Sequence, residues 1–135
     1  MPVSFQVLDR LGGRLLFLGL AWLVLAACIA AGCFTPAHRL PTWLPNDKLL
    51  HFGAYFALAF PMAFVTQSWS RLLLIAIGLS IAGFLIEIVQ RYIPGRDFSI
   101  ADMVANTGGV VMGIGAGYMC LALHQALPDS LGTLL

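Results

Sequence analysis

The sequence predicts an all-α protein, a four-helix transmembrane bundle with its two polar linkers on the same membrane face. Three observations lead there. Apolar residues fill 60% of the 135 positions and charged residues 10%, against roughly 25% charged in a soluble domain. Four apolar runs approach the roughly 20 residues that a helix needs to cross hydrocarbon. The polar residues that remain gather in two stretches, 46–55 and 87–106, which hold four of the six acidic side chains. An ionisable group inside lipid is costly unless it is paired or faces water, so those stretches are where function is sought.

The elements follow in chain order as one membrane domain over residues 1–135. The first helix is expected at 15–34, a run without charge. Leu25-Ala26-Ala27-Cys28 resembles a lipoprotein processing site. The apolar run continues past that cysteine to spanning length, which a signal h-region does not do, so a membrane helix is preferred. The second helix is expected at 49–66, with His51 near its start and Pro61 inside. The third runs over 72–90, with Glu87 near its end. The fourth runs over 100–123, with Asp102 and Asn106 in its first two turns. Helices are the element these runs can form, because backbone facing lipid must satisfy its own hydrogen bonds.

Composition also excludes functions. A net charge of +1 lacks the basic face that nucleic acid requires. Cys28, Cys33 and Cys120 show neither CxxC nor Cys/His spacing, so they read as free buried thiols. No metal site and no cofactor are expected. Gly109, Gly113 and Gly117 form two overlapping GxxxG repeats, which let helices approach closely. They serve either packing within the chain or a homodimer.

Orientation rests on few charges. Arg10 and Arg14 precede the first span and Arg71 lies in the second linker. Arg39, Lys48, Arg91 and Arg96 lie on the other side. The first helix usually dominates orientation, and Lys48 and Arg96 sit beside acidic residues that give them another reason to be there. Both termini are therefore expected in the cytoplasm. With four spans, the first and third linkers share a face in either orientation, so the two polar stretches meet.

Within them, Lys48, His51 and Tyr55 fall on one helical stripe beside Asp47. Glu87 and Gln90 are three apart and share a face. Glu87 needs a cation, Lys48 or Arg96, or a task as proton donor or acceptor. Asn46 or Asp47 is placed to cap the second helix. Pro94-Gly95 marks a turn, Ser99 offers an N-cap, and Asp102 falls where a capping box puts its acid. Asn106 lies a turn deeper, beyond any capping role. The stripe Asp102–Asn106 is expected to point at Glu87, Gln90 and His51.

The order Asp47-Lys48-x-x-His51-Phe52-x-x-Tyr55, Glu87-x-x-Gln90, Pro94-Gly95-Arg96 and Asp102-x-x-x-Asn106-x-x-Gly109 resembles the VanZ-like family of small bacterial membrane proteins, over about residues 40–118. The resemblance implies the bacterial cytoplasmic (inner) membrane, a site on its cell-wall side, and an accessory role of the kind associated with resistance to the glycopeptide teicoplanin. It implies no reaction.

Three roles for the cluster stay open. It binds an envelope lipid, a cell-wall precursor or a glycopeptide without turnover. It is an enzyme, with His51, Glu87 and Asp102 as catalytic acid/base groups. Or it is a charge network that fixes the helices. In the first two, Asp47, Lys48, Tyr55, Gln90, Arg96 and Asn106 contact the substrate, Lys48 and Arg96 holding an anionic group. No activated nucleophile is present in either stretch. Membrane lipids are the surrounding partner, and a transporter has little room in one copy.

Overall fold

The structure, a computed structural model, describes residues 3–44 and 46–126, the side chains of residues 3–11, 14 and 15 excepted. The described chain is all-helical: α1 Val3–Cys33, a short 3-10 helix Ala37–Arg39, α2 Asp47–Ala59, α3 Met62–Val65, α4 Trp69–Gln90 and α5 Ile100–Ala126. Four segments are long and apolar enough to cross a membrane, namely α1 from Leu16, α2 with α3, α4, and α5. The helix count expected from the sequence holds.

The boundaries differ in instructive places. α1 begins at Val3, upstream of the apolar run, so helix continues through Arg10 and Arg14; the side chains of both arginines lie outside the described residues. The second span is broken after Ala59. Pro61 has no N–H to donate, and Phe64 N–H bonds back to the Pro61 carbonyl to open α3. α4 begins at Trp69, three residues early, from the cap position at Ser68.

The chain falls into two compact units, residues 1–33 and 34–135. The first is α1, whose leucines, Phe17 and Val24 between Leu16 and Leu25 are largely exposed.

In the second unit α5 packs chiefly against α2 and also against α4. A glycine stripe makes the first contact possible. A Cβ on Gly109 would overlap the Phe52 carbonyl oxygen, one on Gly113 would lie 2.6 Å from the Phe56 oxygen, and one on Gly117 2.6 Å from the Phe60 oxygen. The backbones of α2 and α5 therefore touch where no larger residue fits. All three glycines are buried within the chain, so a dimer through that face would require α2 to leave it. Phe52, Phe56, Phe60 and Phe64 form a ladder of rings along α2 and α3, with centroids 5.4–6.3 Å apart. Trp69 stacks on Tyr118 at 5.1 Å, and the Tyr118 hydroxyl donates to the Gln67 carbonyl at 3.3 Å. This clamps the end of the unit at the short second linker.

The buried positions change character along the unit. Near the first and third linkers they are His51, Glu87, Gln90, Asp102 and Asn106. Deeper they become Tyr55, Leu58, Ala59 and Val110. The polar layer lies at one end, over an apolar one.

Candidate functional site

The two polar linkers meet. Gly95, with φ 75°, is the one positive-φ glycine among the described residues, as a tight turn after Pro94 requires. The turn closes through Arg96 N–H to the Ile93 carbonyl, and Ala37 N–H of the first linker donates to the Pro94 carbonyl at 3.3 Å. Arg96 is thereby carried across to the first linker and the start of α2. Its Nε donates to the Thr35 carbonyl at 3.4 Å and its guanidinium to Asp47 at 2.8 Å.

The helix caps set the depth of the other side chains. Asn46 caps α2 by accepting from Leu49 N–H at 3.2 Å. Ser99 caps α5, accepting from Asp102 N–H at 3.2 Å, as its place before the apolar run suggested. His51 then falls one turn into α2, and Asp102 and Asn106 fall in the first two turns of α5. All three are buried, with Glu87 and Gln90 of α4 beside them at 0% and 2% exposure.

His51 is the hub. Its Nδ1 lies 3.0 Å from Asn106 Oδ1 and 3.6 Å from Glu87 Oε1, while its Nε2 lies 4.0 Å from Asp47. An amide oxygen only accepts, so Nδ1 carries the hydrogen. Glu87 also accepts from Ser99 N–H through Oε2 at 3.3 Å, which ties α4 to the cap of α5. Lys48 pairs with Asp102 at 3.6 Å, its own side chain 56% exposed and that of Asp102 6%. The expected convergence of His51, Glu87, Asp102 and Asn106 is therefore seen, with Asp47, Lys48 and Arg96 at the rim. Tyr55 is reached from below, since a Cβ on Gly83 would lie 2.9 Å from Asn106 Nδ2 and 3.1 Å from the Tyr55 hydroxyl.

One expected pairing is corrected. Among the described ion pairs neither Lys48 nor Arg96 is the partner of Glu87. Lys48 takes Asp102, Arg96 takes Asp47, and Glu87 faces His51. The reason is the Pro94-Gly95 turn, which directs Arg96 to the first linker while Glu87 faces inward a turn below.

Three features escaped the sequence reading. Gly83 makes room for Asn106 and Tyr55, and its spacing of four from Glu87 was the available signal. Ser99 serves Glu87 through its backbone N–H, which no side-chain pattern reveals. The wall supplied by the first linker was missed because that linker carries few charges.

Above the buried layer is an open cleft of about 500 Å³. Its polar lining comes from Asp47, Lys48, Arg96, Asp97, Ser99 and Asp102, and its apolar lining from the first linker, Leu40, Pro41 and Leu44 among them. His51 and Glu87 are buried and do not line it. Where the sequence suggested no metal ligands, one donor atom each from Asp47, His51 and Asp102 lie within 4.8 Å of one another.

Fold and site together define a polytopic helical membrane protein with a buried polar layer beneath an open cleft at one end of its packed helices. The chain belongs to the VanZ/LLP1 family, whose model matches residues 30–122. That range takes in the whole site. Neither a curated protein nor a solved structure matches the chain.

Proposed function

We propose that the cleft binds the anionic head of an envelope lipid or lipid-linked cell-wall precursor at the outer face of the bacterial cytoplasmic membrane, without turnover. The observation that carries this reading is the two-sided lining. A half-exposed ammonium, Lys48, and the guanidinium of Arg96, buried against Asp47, share the lining with Asp97 and Asp102 and with apolar residues of the first linker. A phosphate-bearing head with the start of its chain has that same polarity. The volume suits a headgroup, and a whole glycopeptide is far larger. A role as a glycopeptide-resistance accessory would then act through the precursor.

Catalysis by His51 and Glu87 has their 3.6 Å approach in its favour. Both are buried outside the cleft lining, however, and neither cysteine nor activated hydroxyl lines the cleft among the described residues. Binding is the reading that needs no movement of the buried layer.

Native mass spectrometry of the detergent-released protein tests this, with an isoprenyl phosphate, phosphatidylglycerol and teicoplanin as separate probes. The isoprenyl phosphate is expected to stay bound, and Lys48→Ala to lower its retention several-fold. Retention equal to that of a zwitterionic lipid, or indifferent to Lys48, would refute the proposal. Retention of teicoplanin alone would replace the ligand.

A further inference from the structure

We propose that Asp47, His51 and Asp102 form a binding site for one divalent first-row metal ion, of the Mn²⁺ or Zn²⁺ kind, at the floor of the cleft. The site concerns the same end of the molecule as the headgroup reading but stands without it, because the metal alone is the probe.

The donor set comes first. It is one imidazole nitrogen and two carboxylates from three separate positions, on α2 and α5, with their atoms within 4.8 Å of one another. Mixed nitrogen and oxygen donors suit Mn²⁺ and Zn²⁺, whereas Mg²⁺ and Ca²⁺ prefer oxygen alone. At metal–ligand distances of about 2.1 Å, tetrahedral donors sit about 3.4 Å apart. The widest separation must therefore contract by up to about 1.4 Å. Asp47 is partly exposed at a helix start and has the freedom to do so.

The second observation is independent of the clustering. Asp102 Oδ1 is buried and accepts no hydrogen bond, its one ion-pair contact among the described residues being Lys48 Nζ at 3.6 Å, so a member of the donor set presents a lone pair with no hydrogen on it. A buried polar atom in that state is costly, and a bound cation would satisfy it. Glu87 Oε1, on the far side of the imidazole, is likewise without a hydrogen bond.

The third observation is the orientation of the imidazole. Nδ1–H points at Asn106 Oδ1, 3.0 Å away, and in the neutral ring Nε2 then carries the lone pair, 4.0 Å from Asp47 Oδ1. In that tautomer the imidazole nitrogen and the carboxylate are two acceptors face to face, and a metal between them would take the place that the Arg96 guanidinium holds on Asp47 Oδ1. A metal-binding histidine is commonly fixed in this way, its other nitrogen donating to an amide or carboxylate that sets the tautomer. Asn106 and Glu87 hold that position here.

Two positive charges already stand at the rim, and metal entry would displace both. Asp47 Oδ1 takes the Arg96 guanidinium at 2.8 Å and is also the oxygen 4.0 Å from His51 Nε2, so a metal there would send Arg96 to the second Asp47 oxygen. Lys48 is held to Asp102 at only 3.6 Å and its side chain is 56% exposed. Metal entry would return its ammonium to the cleft, where an anionic ligand meets it. The metal's open coordination position would face the same space.

The test uses the full chain in nanodiscs, purified on a histidine-free tag, stripped with EDTA and titrated with Mn²⁺. One ion per chain is expected by metal analysis. Electron paramagnetic resonance is expected to show coupling to one imidazole ¹⁴N, preserved in the His38→Gln/His124→Gln chain, since both those residues are exposed. His51→Phe and Asp102→Asn are each expected to weaken binding at least tenfold, and Asn106→Ala by roughly 10- to 100-fold through loss of imidazole orientation. Sub-stoichiometric metal, absence of nitrogen coupling, or His51→Phe binding as the wild type would overturn the site. If the variants fail to fold, the nitrogen coupling in the His38→Gln/His124→Gln chain decides by itself.

Discussion

Glu87→Gln separates the observed wiring of the buried layer from the wiring that charge order along the chain suggests. Glu87 is 0% exposed. Its Oε2 accepts from Ser99 N–H and its Oε1 faces Nδ1–H of His51 at 3.6 Å. A glutamine in the same rotamer keeps one oxygen for Ser99 but turns its NH₂ toward the imidazole N–H. Donor then faces donor where no water reaches, and a buried unsatisfied polar group costs about 1–3 kcal/mol. That is the expected destabilisation. A double-mutant cycle assigns the partner. Glu87→Gln with His51→Phe is expected to show a coupling of about 1–2 kcal/mol, within the range for residues in one network. Glu87→Gln with Arg96→Met is expected to be additive within about 0.5 kcal/mol, because Arg96 is engaged by Asp47. Equilibrium unfolding in mixed SDS and dodecylmaltoside micelles, followed by circular dichroism, supplies the free energies. A Glu87–Arg96 coupling as large as that of Glu87–His51 would refute the wiring. A Glu87→Gln protein as stable as the wild type would refute the account of a dry, donor-matched pocket.

Other variants probe the remaining claims. Gly113→Ala puts a methyl 2.6 Å from the Phe56 oxygen and is expected to cost about 1–3 kcal/mol by overpacking, whereas Gly115→Ala meets nothing within 4 Å and is expected to be neutral or slightly stabilising; micelle unfolding midpoints compare them. Ser99→Ala removes the acceptor of Asp102 N–H and is expected to cost about 0.5–2 kcal/mol by the same assay. With the native cysteines replaced, Thr42→Cys and Asp97→Cys are expected to react with an impermeant maleimide on intact cells and Gln67→Cys only after lysis. The reverse pattern would put the cleft in the cytoplasm.

What the sequence revealed was whatever periodicity encodes. Four apolar runs announced four spans, and spacings of three and four put His51 with Tyr55, Glu87 with Gln90, and Asp102 with Asn106 on shared faces. The cap at Ser99 was readable and that of α2 was narrowed to Asn46 or Asp47, because capping is a local hydrogen bond. Partners across helices were not. Which acid Arg96 meets depends on the direction in which the Pro94-Gly95 turn sends the chain, and that direction is set by contacts with Thr35 and Ala37, far away in sequence. The use of the Gly109–Gly113–Gly117 stripe was likewise open, since small residues invite any close helix. That stripe brings α2 against α5, and it thereby carries His51 to Asn106.

Photocross-linking in cells tests the central claim, that the cleft receives an anionic envelope-lipid head, most directly. A diazirine amino acid replaces Thr42 at the cleft wall, or Gln67 at the opposite end of the helices. Mass analysis of the irradiated protein is expected to find a phosphate-bearing lipid adduct at position 42, reduced by Lys48→Ala, and none of that lipid at position 67. The same lipid captured equally at both positions, or none at position 42, would contradict the account.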